Sequence, residues 1–347
     1  MAGVRKPPIP FIVIVGPTGA GKTTLINRLL RDPAFVHTAV ILNDFGPVSL
    51  ETSLVEKAED EFISLGSGCV CCAVRGALTD GLERLLRAVD NARVRAIDRV
   101  IIEADAAADP AAILVAVARH PYLSLRFVGG GIVAVLGEDA DAVLARRADT
   151  VRQVAMADAV ILTSATARDA VAALNPYATI CEAATVRPAQ LIGHGPFDAD
   201  GDLDAWLGPQ RSGHAPMPAG EAGRIHSFGV TRGNQIPIAA LDRFLDYLAA
   251  LQGQNLIRVR GAVATGPDEI VVVEGFGGFF YPPFILDRAP QRPVEARFVV
   301  IARDLDRATF EAYLDAFLNE AGVDTPDRQA LIENPLAIAG FSARSGR

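Results

Sequence analysis

A glycine-rich loop that follows a run of apolar residues constrains the fold of this 347-residue chain more than any other feature. Residues 11–15 (FIVIV) predict a buried strand, the next nine residues are GPTGAGKTT, and a helical pattern follows. GxxxxGK[ST] between a strand and a helix is typical of a phosphate-binding loop. Backbone N–H groups and the helix N-terminus there attract phosphate oxygens. We therefore predict a nucleoside triphosphate or diphosphate site with Mg²⁺.

Lys22 is expected to meet the β- and γ-phosphates, and Thr23 to offer its hydroxyl to Mg²⁺. Glu103, at the end of apolar run 99–102, is the candidate acid that holds Mg²⁺ through water; a solvated strand-end acid is the alternative. Lys22, Thr23 and Glu103 are the predicted catalytic residues. The residues predicted to bind the nucleotide are Gly16, Gly19, Ala20, Gly21, Lys22, Thr23 and Thr24.

The first half of the chain alternates short apolar runs with helix-like segments. The runs are residues 11–15, 39–42, 62–65, 99–102, 132–136 and 159–162. The helix-like segments are residues 24–30, 75–89, 110–118 and 140–155. Continuous apolar runs suit strands that are covered on both faces. The pattern predicts an α/β fold with a doubly wound, mostly parallel sheet, whose ligand crevice lies beyond the carboxyl ends of its strands.

A change of composition divides the chain. Residues 193–223 hold seven Gly and four Pro, which predicts an exposed, flexible linker after a nucleotide- and metal-binding domain over residues 1–192. Residues 224–320 predict a smaller α+β domain, ferredoxin-like in outline, and residues 321–347 a tail. Two helical stripes are expected in its core: Ile238, Leu241, Leu245 and Leu248, and then Phe310, Leu314, Phe317 and Leu318.

The net charge and the hydropathy of the chain argue against some classes of binding partner. Acidic residues number 41 and basic residues 33, a net charge of −8, and no long Lys/Arg run is present. Nucleic acid and anionic membranes are therefore not expected. No apolar run approaches the roughly 20 residues of a bilayer helix, and no signal-peptide pattern opens the sequence. We expect a soluble cytoplasmic protein.

Three of the four cysteines, Cys69, Cys71 and Cys72, lie within four positions. Thiolates at this spacing can converge on one soft cation, of which Zn²⁺ is the first choice, with a carboxylate, water or partner protein as fourth ligand. Buried filler side chains and a redox site are the alternatives. Cys181, in a strand-like run, is expected in the core.

Taken together, GPTGAGKTT, NDFG at 43–46, GCVCC at 68–72 and EADAAADP at 103–110 resemble the CobW-like P-loop GTPases. Gln153, Ala157-Asp158 and Asn175-Pro176 extend the likeness, as do residues 258–261 and 298–306 in the second domain, so that it covers about residues 9–318. That family comprises two-domain proteins regarded as metal-insertion chaperones or metal-homeostasis factors.

The resemblance implies GTP or GDP as ligand, with ATP open, together with Mg²⁺ and Zn²⁺. It implies that residues 43–46 form switch I, with Asp44 as a switch residue or fourth metal ligand, and that Cys69, Cys71 and Cys72 hold the metal. It also implies slow GTP hydrolysis and a client metalloprotein, with homodimer formation left open. A hydrolysis-deficient sensor or assembly factor is the alternative, and a P-loop small-molecule kinase a more distant one.

The sequence departs from the family pattern at four places. Ala106 stands where the family's ExxG has the switch II glycine, and Thr163-Ser164-Ala165-Thr166 stands where its NKxD would read guanine. An aspartate accepts two N–H groups of guanine at once, which Thr166 cannot do. Pro47 replaces an acid after the switch glycine, and the linker lacks a His-rich tract.

Overall fold

The computed structural model describes residues 7–43, 62–65, 73–104, 106–192, 203–207, 222–233, 235–266, 269–286 and 295–318. The predictions for Asp44, Pro47, the three clustered cysteines and the tail at 321–347 lie outside these residues. The described part forms a seven-stranded sheet followed by a six-stranded sheet.

All seven strands of the first sheet are parallel, in the order β3-β2-β4-β1-β5-β6-β7. Their bounds are β1 Ile9–Val15, β2 Thr38–Asn43, β3 Phe62–Leu65, β4 Arg99–Glu103, β5 Phe127–Leu136, β6 Ala159–Leu162 and β7 Thr179–Glu182. On β1, Phe11, Val13 and Val15 enter one apolar cluster, whereas Ile12 and Ile14 enter another. The sheet is therefore covered on both faces, as its apolar runs predict.

Within the described residues, this sheet is accompanied by six helices: α1 Lys22–Leu30, α2 Ala73–Asp90, α3 Pro110–Arg119, α4 Ala140–Arg146, α5 Ala148–Met156 and α6 Arg168–Leu174. The prediction of one helix over residues 140–155 is wrong. Arg147 has extended backbone angles, φ −119° and ψ 104°, and separates α4 from α5. Its guanidinium donates to the Asp149 carboxylate in the first turn of α5. Elsewhere the predicted elements are confirmed to within a few residues, except for the first five residues of β5.

The second sheet is antiparallel, in the order β11-β10-β9-β13-β8 with β12 beside β10. Its strands are β8 Ile225–Arg232, β9 Leu256–Ala264, β10 Ile270–Phe276, β11 Phe279–Phe280, β12 Phe284–Ile285 and β13 Ala296–Arg303. Helices α8 Ile238–Gln252 and α9 Arg307–Leu318 pack on one face through Phe244 and Phe310, whose ring centroids are 5.5 Å apart. This agrees with the predicted P-loop sheet followed by a smaller α+β unit.

The two core stripes of this unit are confirmed in most positions. Leu241, Leu245 and Leu248 are buried, as are Phe310 and Leu314, whereas Phe317 and Leu318 are partly buried against the same cluster. Ile238 is 45% exposed, so its prediction as a core residue is wrong. It is the first residue of α8, so no preceding helical turn covers its side chain.

The other face of the second sheet packs on the first unit and on a short helix, α7 Leu203–Leu207. Leu203, Trp206 and Leu207 of that helix are buried against Ala262 and Val272. The prediction of an exposed linker is therefore wrong for Leu203, Trp206 and Leu207, because their apolar side chains cover strand residues that would otherwise face solvent. Cys181 is buried in β7 as predicted, and burial raises the pKa of its thiol.

Candidate functional site

The glycine-rich loop turns sharply between β1 and α1. Gly16 has φ +142°, and a Cβ placed there would lie 2.1 Å from the carbonyl oxygen of Val135 on β5. Gly21, which precedes α1, has φ +98°. Only glycine adopts such angles without strain and allows so close a backbone approach. The loop is thereby wrapped against the carboxyl end of β5.

The three residues predicted as catalytic converge at this loop. Lys22 is 7% exposed, and its Nζ donates to the carbonyl oxygens of Gly16 at 3.0 Å and Pro17 at 3.2 Å. Thr23 Oγ1 donates to Glu103 Oε1 at 3.3 Å. Glu103 is buried at the end of β4, the neighbour of β1 in the sheet. An acid and a hydroxyl side by side, next to a lysine, are suited to Mg²⁺ and phosphate; these roles stay predictions.

A cavity of about 660 Å³ opens beside the loop. Gly19, Ala20, Gly21 and Thr24, all predicted to bind the nucleotide, line it. Other wall residues lie beyond the carboxyl ends of β5, β6 and β7, and of these only Thr163 stands out in the sequence, at the family's base-reading position; the others are Gly137, Glu138, Asp139 and Ala183. The topological rule that ligands lie beyond these strand ends was the available signal.

The segment after β6 has a conformation of its own. Thr163 lines the cavity, whereas Ala165–Ala167 form a 3₁₀ helix in which the Ser164 hydroxyl accepts from the backbone N–H of Thr166. The two hydroxyl oxygens of Ser164 and Thr166 lie 3.3 Å apart. Asp169, which could replace the missing aspartate of the family motif, is exposed in the first turn of α6 and does not line the cavity.

Arg28 fixes the far side of the cavity. Its guanidinium donates to the backbone carbonyls of Ala183 and Val186, the latter at 2.6 Å. Both acceptors follow β7, so that α1 is tied to the loop beyond the last strand of the sheet. No sequence motif identifies Arg28 as a residue of the site.

The loop that follows Glu103 is held by Gln153 of α5. The Gln153 side-chain amide donates to the carbonyl oxygens of Ala106 at 3.0 Å and Ala108 at 2.8 Å. Ala106 is buried, and Gln153 is 1% exposed. The alanine at the family's glycine position therefore sits in a loop that is bonded to a neighbouring helix.

The second sheet joins the first unit through buried charges. Arg258 donates to Asp158 Oδ1 at 2.7 Å and to Glu274 Oε1 at 2.9 Å, and Arg260 contacts both acids. Asp158 lies immediately before β6, whereas the other three residues belong to β9 and β10. Burial acts to lower the pKa of Arg258, but the carboxylates of Asp158 and Glu274 outweigh it, so the pKa is raised. Burial and the neighbouring charge of Arg258 lower the pKa of Arg260, but an arginine guanidinium stays charged in proteins.

Two parts of this chain match known protein domains. Residues 10–185 match the CobW/HypB/UreG nucleotide-binding domain, and residues 225–318 match the cobalamin synthesis protein cobW C-terminal domain. The chain belongs to the CobW family. Both parts of the family architecture are present in order, and the first unit described above carries its phosphate-binding loop.

Among curated relatives, this CobW family member is 33% identical over 157 residues to the zinc chaperone YjiA of Escherichia coli, 45% of this chain and 49% of the relative. It is 32% identical over 145 residues to the zinc chaperone CobW of Sinorhizobium sp, 40% of this chain and 39% of the relative. The Saccharomyces cerevisiae zinc-regulated GTPase metalloprotein activator 1 is 31% identical over 141 residues, 38% of this chain and 31% of the relative. The alignments thus span about half or less of these relatives.

The solved structure of Zn(II)-bound YjiA GTPase from Escherichia coli matches 90% of this chain and 99% of its own, with a TM-score of 0.64 and 20% sequence identity. At that identity the likeness shows the fold. It supports the two-sheet architecture of this CobW family member.

Among the described residues, no group of three or more His, Cys, Asp or Glu side chains could hold a metal ion. The predicted thiol ligands Cys69, Cys71 and Cys72 fall in the stretch between β3 and α2, outside those ranges. No helix of the described part has the length and apolar character needed to cross a bilayer.

Proposed function

We propose that this chain is a nucleotide-dependent metal-binding protein of the CobW type, which hydrolyses GTP slowly and passes Zn²⁺ to a client metalloprotein. The observation that supports this most is the contact of Thr23 with Glu103 next to Lys22 in the phosphate-binding loop, whose residues Gly19, Ala20, Gly21 and Thr24 line a cavity of about 660 Å³. A cavity of roughly 300–1,000 Å³ is usual for a small-molecule ligand. The residues around it match the needs of a nucleoside triphosphate with Mg²⁺.

Each group has a distinct task in this proposal. Lys22 exchanges its two carbonyl acceptors for phosphate oxygens, and the loop's backbone N–H groups receive the β-phosphate. Thr23 and Glu103 hold Mg²⁺, which neutralises charge on the phosphates when bound. The donor set fits, because a hydroxyl and a carboxylate are the oxygen ligands that Mg²⁺ prefers.

Slow turnover follows from what surrounds the phosphate loop. The single arginine among the described residues that line the cavity is Arg28, and its guanidinium already donates to two backbone carbonyls. An arginine that stabilises the transferring phosphoryl group is worth about 10³–10⁵ in rate. Ala106 lacks the backbone freedom of the glycine that the family has there, which makes the loop slower to rearrange around a γ-phosphate.

Zinc is the proposed cargo. Three thiolates at the spacing of Cys69, Cys71 and Cys72 form a donor set for a soft, tetrahedral ion. The chain connects the carboxyl end of β3 to the start of α2 through this stretch, and carboxyl ends of parallel strands share one edge of the sheet. The relatives named zinc chaperones support the choice of ion.

Phosphate release from the purified full chain with GTP and Mg²⁺ tests the enzymatic part. Lys22→Ala should reduce release to background, whereas Arg95→Ala, which removes an exposed cation beyond the carboxyl end of α2, should leave it unchanged. If wild type and Lys22→Ala release phosphate equally, the hydrolysis claim fails. Calorimetric binding of GTP without turnover above background would instead support the sensor or assembly-factor alternative.

Base choice is tested by competition between GTP and ATP. Without an aspartate at position 166, guanine loses a charge-assisted contact worth about 1.5–3 kcal/mol. We expect GTP to be preferred by a margin roughly tenfold to a hundredfold smaller than an aspartate would give, and Thr166→Asp to widen it. A preference that Thr166→Asp leaves unaltered would contradict this account of base reading.

Native mass spectrometry of zinc-loaded protein tests the metal site. Cys71→Ser and Cys72→Ser should lose the bound ion, whereas Cys181→Ala, which changes the buried thiol of β7, should keep it. A wild-type protein that binds no zinc when loaded would overturn the metal proposal. The client metalloprotein, homodimer formation and the cytoplasmic location stay predictions.

A further inference from the structure

Helix α5 is attached at one side to the loop that follows Glu103. Besides the two hydrogen bonds from Gln153 to Ala106 and Ala108, Arg152 Nε donates to Asp109 Oδ2 at 3.2 Å. Asp109 in turn is the N-cap of α3, since its Oδ1 accepts from the backbone N–H of Ala111 at 3.0 Å. Three side-chain hydrogen bonds from adjacent residues of α5 thus fix this loop.

Only the nitrogen of the Gln153 side-chain amide forms hydrogen bonds within the described residues. Its Oε1 is buried and has no hydrogen-bond partner within the described ranges, and the same holds for the hydroxyl of Thr150, three residues earlier on α5. A buried acceptor without a donor is costly, and a residue kept only for packing would be apolar at 1% exposure. Gln153 Oε1 and the Thr150 hydroxyl are therefore unused hydrogen-bonding groups on α5, the same helix that holds the loop through the Gln153 amide nitrogen.

The carboxyl end of α5 is attached to the second domain. The carbonyl oxygen of Met156, the last residue of α5, accepts from Arg258 Nη1 at 2.5 Å. Two residues later Asp158 receives Arg258 and Arg260, and its Oδ2 accepts from the backbone N–H of Ile132 at 2.7 Å. A displacement of α5 along its axis would therefore change the contacts of both arginines.

We propose that Gln153 is the positioning residue for the loop after β4, and that α5 transmits the nucleotide-dependent position of that loop to the buried charges of the second domain. This inference rests on the proposed nucleotide site. The loop follows Glu103, the side chain that would hold Mg²⁺, so its position would depend on what is bound beside Glu103. Gln153 then changes partners between the loop's carbonyls and its N–H groups, and α5 moves with it.

The chain contains a built-in reporter for the second half of this proposal. Trp206 is its single tryptophan. The guanidinium carbon of Arg260 lies 4.9 Å from the centroid of its ring, and Arg260 Nη1 donates to the Trp206 carbonyl at 3.1 Å. Trp206 is 7% exposed. Its fluorescence is therefore sensitive to the position of Arg260, which bonds Asp158 next to α5.

The experiment compares Trp206 fluorescence of the full chain with saturating GDP and with a non-hydrolysable GTP analogue, both unlabelled and with Mg²⁺. Wild type should give different emission in the two states. Gln153→Met, close in shape but without hydrogen-bonding groups, should bind both nucleotides and lose the difference. Gln252→Met is the matched control, because Gln252 lies on α8 and bonds Tyr313 of α9, and it should keep the difference.

Nucleotide affinity is measured in parallel by calorimetry, so that the two proposals fail separately. Equal emission in the two states of wild type that binds both nucleotides would overturn the inference and leave the proposed function standing. A difference that survives in Gln153→Met would also overturn it. Absence of nucleotide binding by wild type would overturn both. If Gln153→Met does not fold, Gln153→Glu, which keeps the size but faces the two carbonyls with a carboxylate, should lose the difference as well.

Discussion

Thr23 Oγ1 donates a hydrogen bond to Glu103 Oε1 over 3.3 Å, joining the first turn of α1 to the end of the adjacent strand β4. The two residues are 80 positions apart in the chain, and they are brought together because β1 and β4 are parallel neighbours whose carboxyl ends share one edge. The contact places the two proposed Mg²⁺ side chains next to each other.

Glu103→Gln is expected to lower Mg²⁺-dependent phosphate release by about 10–100-fold, the usual effect of losing an outer-shell group at a metal. The amide keeps the size of the side chain and removes its charge. Glu182→Gln is the matched control, since Glu182 also ends a strand of the same sheet but interacts with Arg168. Equal losses in the two variants, measured by phosphate release against Mg²⁺ concentration, would contradict the assignment.

Gly16→Ala should destabilise the fold. The new Cβ would meet the Val135 carbonyl at a position with φ +142°, and a strained backbone angle alone costs about 1–3 kcal/mol. Gly76→Ala is the counterpart: Gly76 lies in α2, a Cβ added there would meet open space, and the change should stabilise by about 0.5–1 kcal/mol. Urea unfolding of both variants should give shifts of opposite sign; a neutral Gly16→Ala would contradict the tight loop.

Arg258→Met should cost about 3–5 kcal/mol, because it leaves Asp158 and Glu274 buried with one arginine between them. Arg307→Met removes an exposed ion pair with Glu311, one turn along α9, and should cost about 0.5 kcal/mol or less. Chemical unfolding of the two variants distinguishes the cases. A similar small loss for both would show that the buried charges do not hold the two sheets together.

Much of this fold is predictable from the sequence, and the exceptions have physical reasons. The bounds of β6 follow from an apolar run that is buried along its whole length. The start of β5 does not, because Gly129, Gly130 and Gly131 have low strand propensity and the register shifts there to accommodate an extra residue.

The residues of the candidate site also fall into two groups, those that the sequence predicts and those that it does not. The phosphate loop and Glu103 are local motifs at strand ends and could be predicted. Gln153 contacts Ala106 across 47 positions, and Arg28 contacts Ala183 across 155, so neither pairing is visible in a local pattern. Trp206 lies in a Gly/Pro-rich stretch whose composition predicts exposure, whereas its own apolar ring decides its burial.

The buried phenol of Tyr177 is expected to lower the stability of the fold at alkaline pH. Burial raises the pKa of its phenol to about 12, and its buried hydroxyl has no partner within the described residues. Because the folded-state pKa exceeds the unfolded value near 10, the stabilisation from keeping this phenol neutral is complete below about pH 10 and is lost as the pH rises through about 12.

Tyr177→Phe should therefore be neutral or slightly stabilising at neutral pH, and should unfold at higher urea than wild type at about pH 11.5. The difference between the two proteins is measured by urea unfolding at about pH 9 and about pH 11.5. If the difference in urea unfolding between Tyr177→Phe and wild type does not increase with pH, the buried state of this phenol is contradicted.

The zinc affinity of the full chain, measured at equilibrium with Mg²⁺ and either GDP or a non-hydrolysable GTP analogue, tests the central claim most directly. Coupling of a nucleotide switch to a metal site should change the zinc Kd by about 5–150-fold between the two states. Lys22→Ala, which cannot hold the phosphates, should remove that difference. Identical zinc affinities for wild type saturated with either nucleotide would contradict the account.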